Sequence, residues 1–218
     1  LAAVISKDSG EVCLEGKPFH PGHLLDAFQS GIAIVYQEST LVPNISVAEN
    51  IFIGQLGDFY RRGYLSRRKI VEQANRIFEN KIGYRIDSSR QARNFDFGER
   101  TLIEIARALA YNPKVLLLDE VTTSLDLDRV QLIKKLIRDF RKAGGTVVYI
   151  SHRLEEVIDL CDRITVLRDG RVAGEVDPSS ASLGGISAMM VGRDIEWMRA
   201  AKRASVAVDR DAANRVLE

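Results

Sequence analysis

Long apolar runs, a charged leader and a strong net charge are all missing from this chain, and each absence removes a class of function. No apolar run approaches the ~20 residues that a membrane-spanning helix needs. The N-terminus has no basic start followed by a long apolar segment, so no secretory signal is visible. The formal net charge is +1 over 218 residues, so no global field favours nucleic acid or an acidic membrane. There are two cysteines, Cys13 and Cys161, far apart and near no histidine cluster. That spacing offers no disulfide framework and no metal motif, and it suits a reducing compartment. No internal repeat is visible. The chain begins Leu-Ala-Ala rather than with Met, which reads as a fragment or a processed chain. What is present is ordinary: 45% hydrophobic and 28% charged residues, the balance of a soluble globular protein with a sizeable core.

The first part reads as β. Glu11-Val-Cys-Leu-Glu15 alternates and Gly16 punctuates it. Ile32-Ala-Ile-Val-Tyr36 is a second, partly β-branched run ending at Gln37. After Pro43 the pattern turns helical over Val47–Ile53 and Arg68–Gly83, and Ile70, Val71, Ala74, Ile77 and Phe78 share one face. No convincing strand occurs from about Leu41 to Leu102. Gly98 precedes a strong helix over Glu99–Ala110, which Asn112-Pro113 ends. Val115–Leu118 is a continuous apolar strand of the kind buried on both faces of a parallel sheet. A helix carrying Val130, Ile133, Leu136, Ile137 and Phe140 follows and stops at Gly144-Gly145. Thr146–Ile150 reads as another buried strand, with Ser151 able to cap the next helix. Ile164–Leu167, Asp169-Gly170 and Arg171–Glu175 read as a hairpin.

Strand–helix–strand alternation from Val115 to Leu167 argues for an α/β domain with a mostly parallel sheet. We expect an α/β core lobe from residues 1–40 and 103–180. A helical lobe over 41–102 is inserted into it. Residues 181–218 form a C-terminal helix and linker, whose last stretch, from about Arg193, is charged and Ala-rich.

Ligands of open α/β sheets bind beyond the carboxyl ends of the strands. Three such ends are polar here: Gln37, Asp119-Glu120 and Ser151-His152. Asp119 suits Mg²⁺, directly or through water. Glu120 suits the orientation or deprotonation of an attacking water. Gln37 suits the metal or the water, and His152 suits a hydrogen bond to a terminal phosphate. Taken singly, each has a bland alternative: a helix cap, a solvated turn, a structural histidine. Together, at matching positions on three strands, they are far more specific.

In chain order stand Gln37, Phe95-Asp-Phe-Gly-Glu99 leading into Ile103-Glu-Ile-Ala-Arg-Ala-Leu109, Val115-Leu-Leu-Leu-Asp-Glu120, Thr123-Ser-Leu-Asp126 and Ile150-Ser-His152. This series resembles the nucleotide-binding domain of an ABC transporter: Q-loop, signature, Walker B, D-loop and switch histidine. The resemblance covers about residues 1–192. The stretches from Gln37 to Gly54 and from Met190 to Arg193 are similar to the first half of the tandem ATPase subunits of bacterial carbohydrate importers of the ribose, xylose and galactose type. Arg215-Val-Leu-Glu218 is similar to the start of a second half.

The resemblance implies a P-loop NTPase-like (RecA-like) fold, with an antiparallel β portion and the helical lobe. It implies ATP and Mg²⁺, with Asp119 and Gln37 at the metal and Glu120, His152 and Gln37 catalytic. It implies that Asp96, Gly98, Glu99 and Asp126 act toward a partner domain, with Gly98 opening the signature helix. It implies coupling to carbohydrate uptake, permease subunits, a second ATPase half and, indirectly, a periplasmic sugar-binding protein. The place implied is the cytoplasmic face of the plasma membrane, with no nucleic acid. The other readings are a non-enzymatic half that only docks and dimerises, and a soluble ABC-type ATPase of translation or DNA repair. The last would favour basic surfaces or long charged coiled coils, which are not seen here.

Two departures from the family stand out. The phosphate loop G-x-x-x-x-G-K-[ST] is not spelled by any stretch. Gly10-Glu-Val-Cys-Leu-Glu-Gly16-Lys17-Pro18 is one residue too long, has proline for the hydroxyl and sits in a hairpin. By the resemblance, the chain starts just after that loop, so the preceding central strand is absent and the polypeptide by itself is expected to bind ATP weakly or not at all and not to be an ATPase. We therefore expect a remodelled sheet whose gap is filled by self-association, another chain or the C-terminal tail. The second departure is the signature, where Asp96 replaces the usual serine. Either the added anion weakens the composite site, or Asp96 merely caps the helix and leaves the Gly98 amide to bind phosphate. Val121, where proline is usual, is a minor difference.

Overall fold

The computed structural model describes residues 7–61 and 63–192. In chain order the elements are β1 (Cys13–Leu14), β2 (Lys17–Pro18), α1 (Leu24–Gln29), β3 (Ile32–Val35), α2 (Val47–Ile51), β4 (Tyr60–Arg61), β5 (Tyr64–Leu65), α3 (Arg67–Ile77), α4 (Phe97–Ala110), β6 (Val115–Asp119), α5 (Leu127–Lys142), β7 (Thr146–Ile150), α6 (Leu154–Leu160), β8 (Ile164–Arg168), β9 (Arg171–Val176) and α7 (Leu183–Val191). The described residues divide into two compact units, one ending at His152 and the other starting at Arg153. The expectations for the tail from Arg193 onward lie outside the described residues.

The first unit is organised by a parallel sheet of order β3-β6-β7. The Val115–Leu118 run is apolar throughout because β6 is central: Leu116 and Leu118 are fully buried and Leu117 nearly so. A second apolar layer forms where Phe19 and Ala27 pack with Ile32 and Leu117, flanked by Val12, Leu14 and Leu24. The β1–β2 connection is a tight hairpin with Glu15 at φ 52° and Gly16 at φ 75°. Two successive left-handed residues are what a type I′ turn demands. The Gly10–Pro18 stretch therefore lies in a hairpin and not at a strand-to-helix turn.

Between β3 and β6 the chain is mainly helical. α2 is closed at its start by a capping box in which Ser46 accepts from the Glu49 amide while the Glu49 carboxylate reaches back to Ser46. The buried faces of α2, α3 and α4 meet through Val47, Ile51, Ile70, Ala74 and Leu102. α3 runs into a π-helical turn over Phe78–Ile82 and ends at left-handed Gly83. One expectation is corrected here: the 41–102 stretch does hold strands, the short antiparallel pair β4–β5. It is too short to show as an alternating run in the sequence.

Two further readings change. β7 is not a buried strand: its residues alternate between exposed and half-buried, with Val148 37% and Ile150 51% exposed. β7 has β6 on one side and, among the described residues, no strand on the other. Within the second unit β8 pairs antiparallel with β9 across Asp169 and Gly170, both left-handed, which is the hairpin expected there. The N-cap position of α6 is Arg153, not Ser151.

Candidate functional site

The parallel register sets three carboxyl ends side by side, because Val35 pairs with Leu118 and Asp119 pairs with Ile150. Gln37, Glu120 and His152 each lie one or two residues beyond those ends, and their side chains meet. The Gln37 Nε2 donates to Glu120 Oε2 at 3.1 Å. His152 Nδ1 lies 3.2 Å from the other oxygen, Glu120 Oε1. Glu120 is thus held between an amide and an imidazole, with its carboxylate partly exposed.

The backbone contributes to this aim. Glu120 has φ 49°, a left-handed conformation that is uncommon for a residue other than glycine, asparagine or aspartate. Its N–H donates to Ile150 O at 2.9 Å, the last rung before the chains part. Such strain persists where surrounding contacts over-determine it, and it gathers at functional sites. Behind Glu120, Val121 and Thr122 are buried, and Thr122 Oγ1 sits 2.9 Å from Tyr149 Oη, which braces the turn against β7.

Asp119 ends β6 in a half-buried position at the same rim. The oxygens of Asp119, Glu120 and Gln37 are hard donors. One or two carboxylates, with phosphate and water completing the shell, is the set that Mg²⁺ takes. The residues present fit that ion.

A second cluster surrounds the start of α4. The helix begins at Phe97, so Gly98 lies within its first turn, a correction to the expected start at Glu99. The reason is Asp96, whose Oδ1 accepts from the Glu99 amide at 2.8 Å while Glu99 Oε2 accepts from the Asp96 amide at 3.1 Å. Asp96 therefore does cap the helix. Its other oxygen is not free to repel an anion, because Arg129 Nη2 donates to it at 2.7 Å. The same guanidinium reaches Asp126 Oδ2 at 3.1 Å, and Asp126 Oδ1 caps α5 through the Arg129 amide at 2.9 Å. Arg129 also lies against Gly98: a Cβ there would meet its Nη1 at 2.5 Å. One arginine thus ties the Asp96–Glu99 turn to the Asp126 turn. Sequence reasoning missed it; the only signal was a basic residue three positions beyond a capping aspartate.

Partial burial works to raise the Asp96 carboxyl, but the Glu99 and Gly98 amides and the Arg129 guanidinium together hold it below the usual carboxylate range. The stabilisation is then fully present above the unfolded value near 4 and is lost as pH falls through the lower folded value. We expect Asp96→Asn, which keeps a capping oxygen and loses the charge facing Arg129, to be less stable than the parent by about 0.2–1 kcal/mol at neutral pH. Chemical denaturation across pH should show that gap narrowing only below about pH 4. A gap that is flat down to pH 2 would contradict the arrangement.

Comparison with known proteins agrees with this geometry. The family model described as ABC transporter matches residues 1–123. The chain belongs to the ABC transporter family. The ribose import ATP-binding protein RbsA 2 of Escherichia coli O157:H7 is 37% identical over 195 residues, which is 89% of this chain and 38% of that protein. The arabinose import ATP-binding protein AraG of Chromohalobacter salexigens is 39% identical over 171 residues, 78% of this chain and 34% of that protein. This ABC-family chain thus spans about two-fifths of the length of the curated relatives it matches. Among solved structures, a nucleotide-free ATP-binding cassette from an ABC transporter superposes with TM-score 0.69 at 23% identity, over 81% of this chain and 72% of that one. The fold is that of the ABC cassette, a P-loop NTPase fold.

Proposed function

We propose that this chain is part of the ATP-hydrolysing half of a carbohydrate ABC importer, with Glu120 as the catalytic carboxylate, and that it hydrolyses ATP only when a phosphate loop is joined to it. The observation that carries this reading is the Glu120 carboxylate held between Gln37 and His152 at adjoining strand ends. The relatives' names, ribose and arabinose import ATP-binding proteins, support the importer and the sugar class.

In this reading Asp119, Glu120, Gln37 and His152 divide the work. Asp119, with the Gln37 amide oxygen, would hold Mg²⁺. That ion would supply positive charge to offset the charge that develops on the phosphate. Glu120 orients the attacking water and accepts its proton. Gln37 fixes the second carboxylate oxygen and reports on the water. His152 steadies Glu120 and turns its remaining ring nitrogen toward a terminal phosphate.

Asp96, Gly98, Glu99 and Asp126 serve a partner ATPase half. Two exposed apolar residues in the same two turns support a docking face there, Phe97 at 52% and Leu127 at 76% exposure. Residues 41–102 would be the lobe that meets a permease, at the cytoplasmic side of the membrane, with a periplasmic sugar-binding protein upstream. Among the described residues no helix is long and apolar enough to cross a membrane, so the path for sugar falls to those partners.

Genetic replacement tests the reading. Deletion of the coding gene is expected to abolish uptake of one pentose or hexose, and an intact copy to restore it. A Glu120→Gln copy should be expressed at normal level and restore nothing. Normal uptake with Glu120→Gln, or a defect in translation or DNA repair in place of uptake, would overturn it.

A further inference from the structure

α4 carries a buried carboxylate flanked in sequence by two isoleucines. Glu104 stands between Ile103 and Ile105, only 4% exposed, and a charge is seldom so buried without a partner. Its partners lie 64 and 65 residues away. Glu104 Oε1 accepts from the backbone N–H of Thr40, from Ser39 Oγ at 3.1 Å and from Thr40 Oγ1 at 3.4 Å. Arg107, one turn along α4, lies 3.7 Å from the same oxygen and donates both to Thr40 Oγ1 and to the Thr40 carbonyl.

The Ser39–Thr40 segment is the continuation of Gln37 and is itself exposed, with no regular secondary structure of its own. The Glu104 carboxylate, with Arg107 beside it, anchors that segment to α4. Gln37, Ser39, Glu104 and Glu120 line one narrow cleft. We infer that Glu104 is a positioning residue: it ties the segment after β3 to α4 and so sets Gln37 against Glu120. A charged acceptor suits the task, because hydrogen bonds to ionised groups are roughly twice as strong as neutral ones. An isolated buried charge would be costly, and the three donors with Arg107 offset that cost. This deepens the proposed site and rests on Gln37 belonging to it.

The test uses the 218-residue chain and needs no turnover. Nuclear magnetic resonance reads the exchange rate of the Thr40 amide and the shifts of the Gln37 side-chain NH₂. In Glu104→Ala, the Thr40 amide should exchange about tenfold faster or more, and the Gln37 signals should move. The amides of Ile105–Leu109 should stay protected. Glu104→Gln keeps a carbonyl acceptor and should bring both readouts most of the way back. From the loop side, Ser39→Ala with Thr40→Val leaves α4 untouched and should shift Gln37 in the same direction.

Unchanged Thr40 exchange and Gln37 shifts in Glu104→Ala would overturn the inference. So would loss of protection throughout α4 in all variants, which marks a purely structural role. A failure of the catalytic reading looks different. There, Gln37→Ala in a polypeptide carrying the phosphate loop would leave ATP turnover unchanged while the Glu104 tether still showed in the exchange data.

Discussion

Titration of Mg–ATP into a polypeptide of these 218 residues alone is expected to give millimolar or weaker affinity. Micromolar binding amounts to about 8 kcal/mol. Hydrogen bonds to charged groups contribute roughly 1.5–3 kcal/mol each. A G-x-x-x-x-G-K-[ST] loop offers several backbone amides and a lysine to the phosphates, and none of the 218 residues spells that loop. Removing three such bonds leaves little of the total. Asp119 and Glu120 do not compensate, because their carboxylates act on phosphate only through a cation. Joining a strand and such a loop ahead of Leu1 should tighten binding by about a thousandfold or more, a change of roughly 4 kcal/mol. β7 presents an edge with no strand on it among the described residues, where an incoming parallel strand can pair. Micromolar affinity in the 218-residue polypeptide would show that another surface holds the triphosphate.

In a loop-bearing polypeptide that binds Mg–ATP, Glu120→Gln is expected to lower turnover by about 10²–10⁴-fold, the usual contribution of a positioned general base. Affinity should hold, since Glu120 faces the water and not the phosphate cradle. Stability should stay within about 0.5 kcal/mol, as for substitutions outside the core. The glutamine side chain has the same shape and can still meet Gln37 and His152, so the geometry survives and the basicity does not. Steady-state hydrolysis and thermal unfolding measured together separate the two. A comparable loss of activity and stability would mean that Glu120 holds the turn rather than the water.

Much of this site was legible because its chemistry is punctuated by local pattern. An unbroken apolar run closed by Asp119-Glu120 declares a buried parallel strand and its functional end at once. Gln37 and His152 follow apolar runs of the same kind, and parallel pairing then obliges all three ends to share a rim. What stayed hidden depends on neighbours distant in sequence. Thr146–Ile150 reads as buried because its residues prefer burial, yet a strand is buried only when something lies beside it. The start of α4 shifted to Phe97 because a carboxylate at Asp96 caps better than a glycine at 98. The Asp96–Arg129 pair spans 33 residues and the Glu104–Thr40 bond 64. No periodicity encodes either, although a lone acid among isoleucines is a hint that a partner must exist.

Single-turnover release of the γ-phosphate is the most direct test that the three strand ends work as one catalytic group. It should be measured in loop-bearing polypeptides carrying Gln37→Ala, Glu120→Gln, His152→Ala and all three changes. Residues that act as a unit are grossly non-additive. The triple variant should therefore be no slower than Glu120→Gln alone. A triple variant slowed by the full product of the three separate losses would show independent groups, and the shared site assigned here would be wrong.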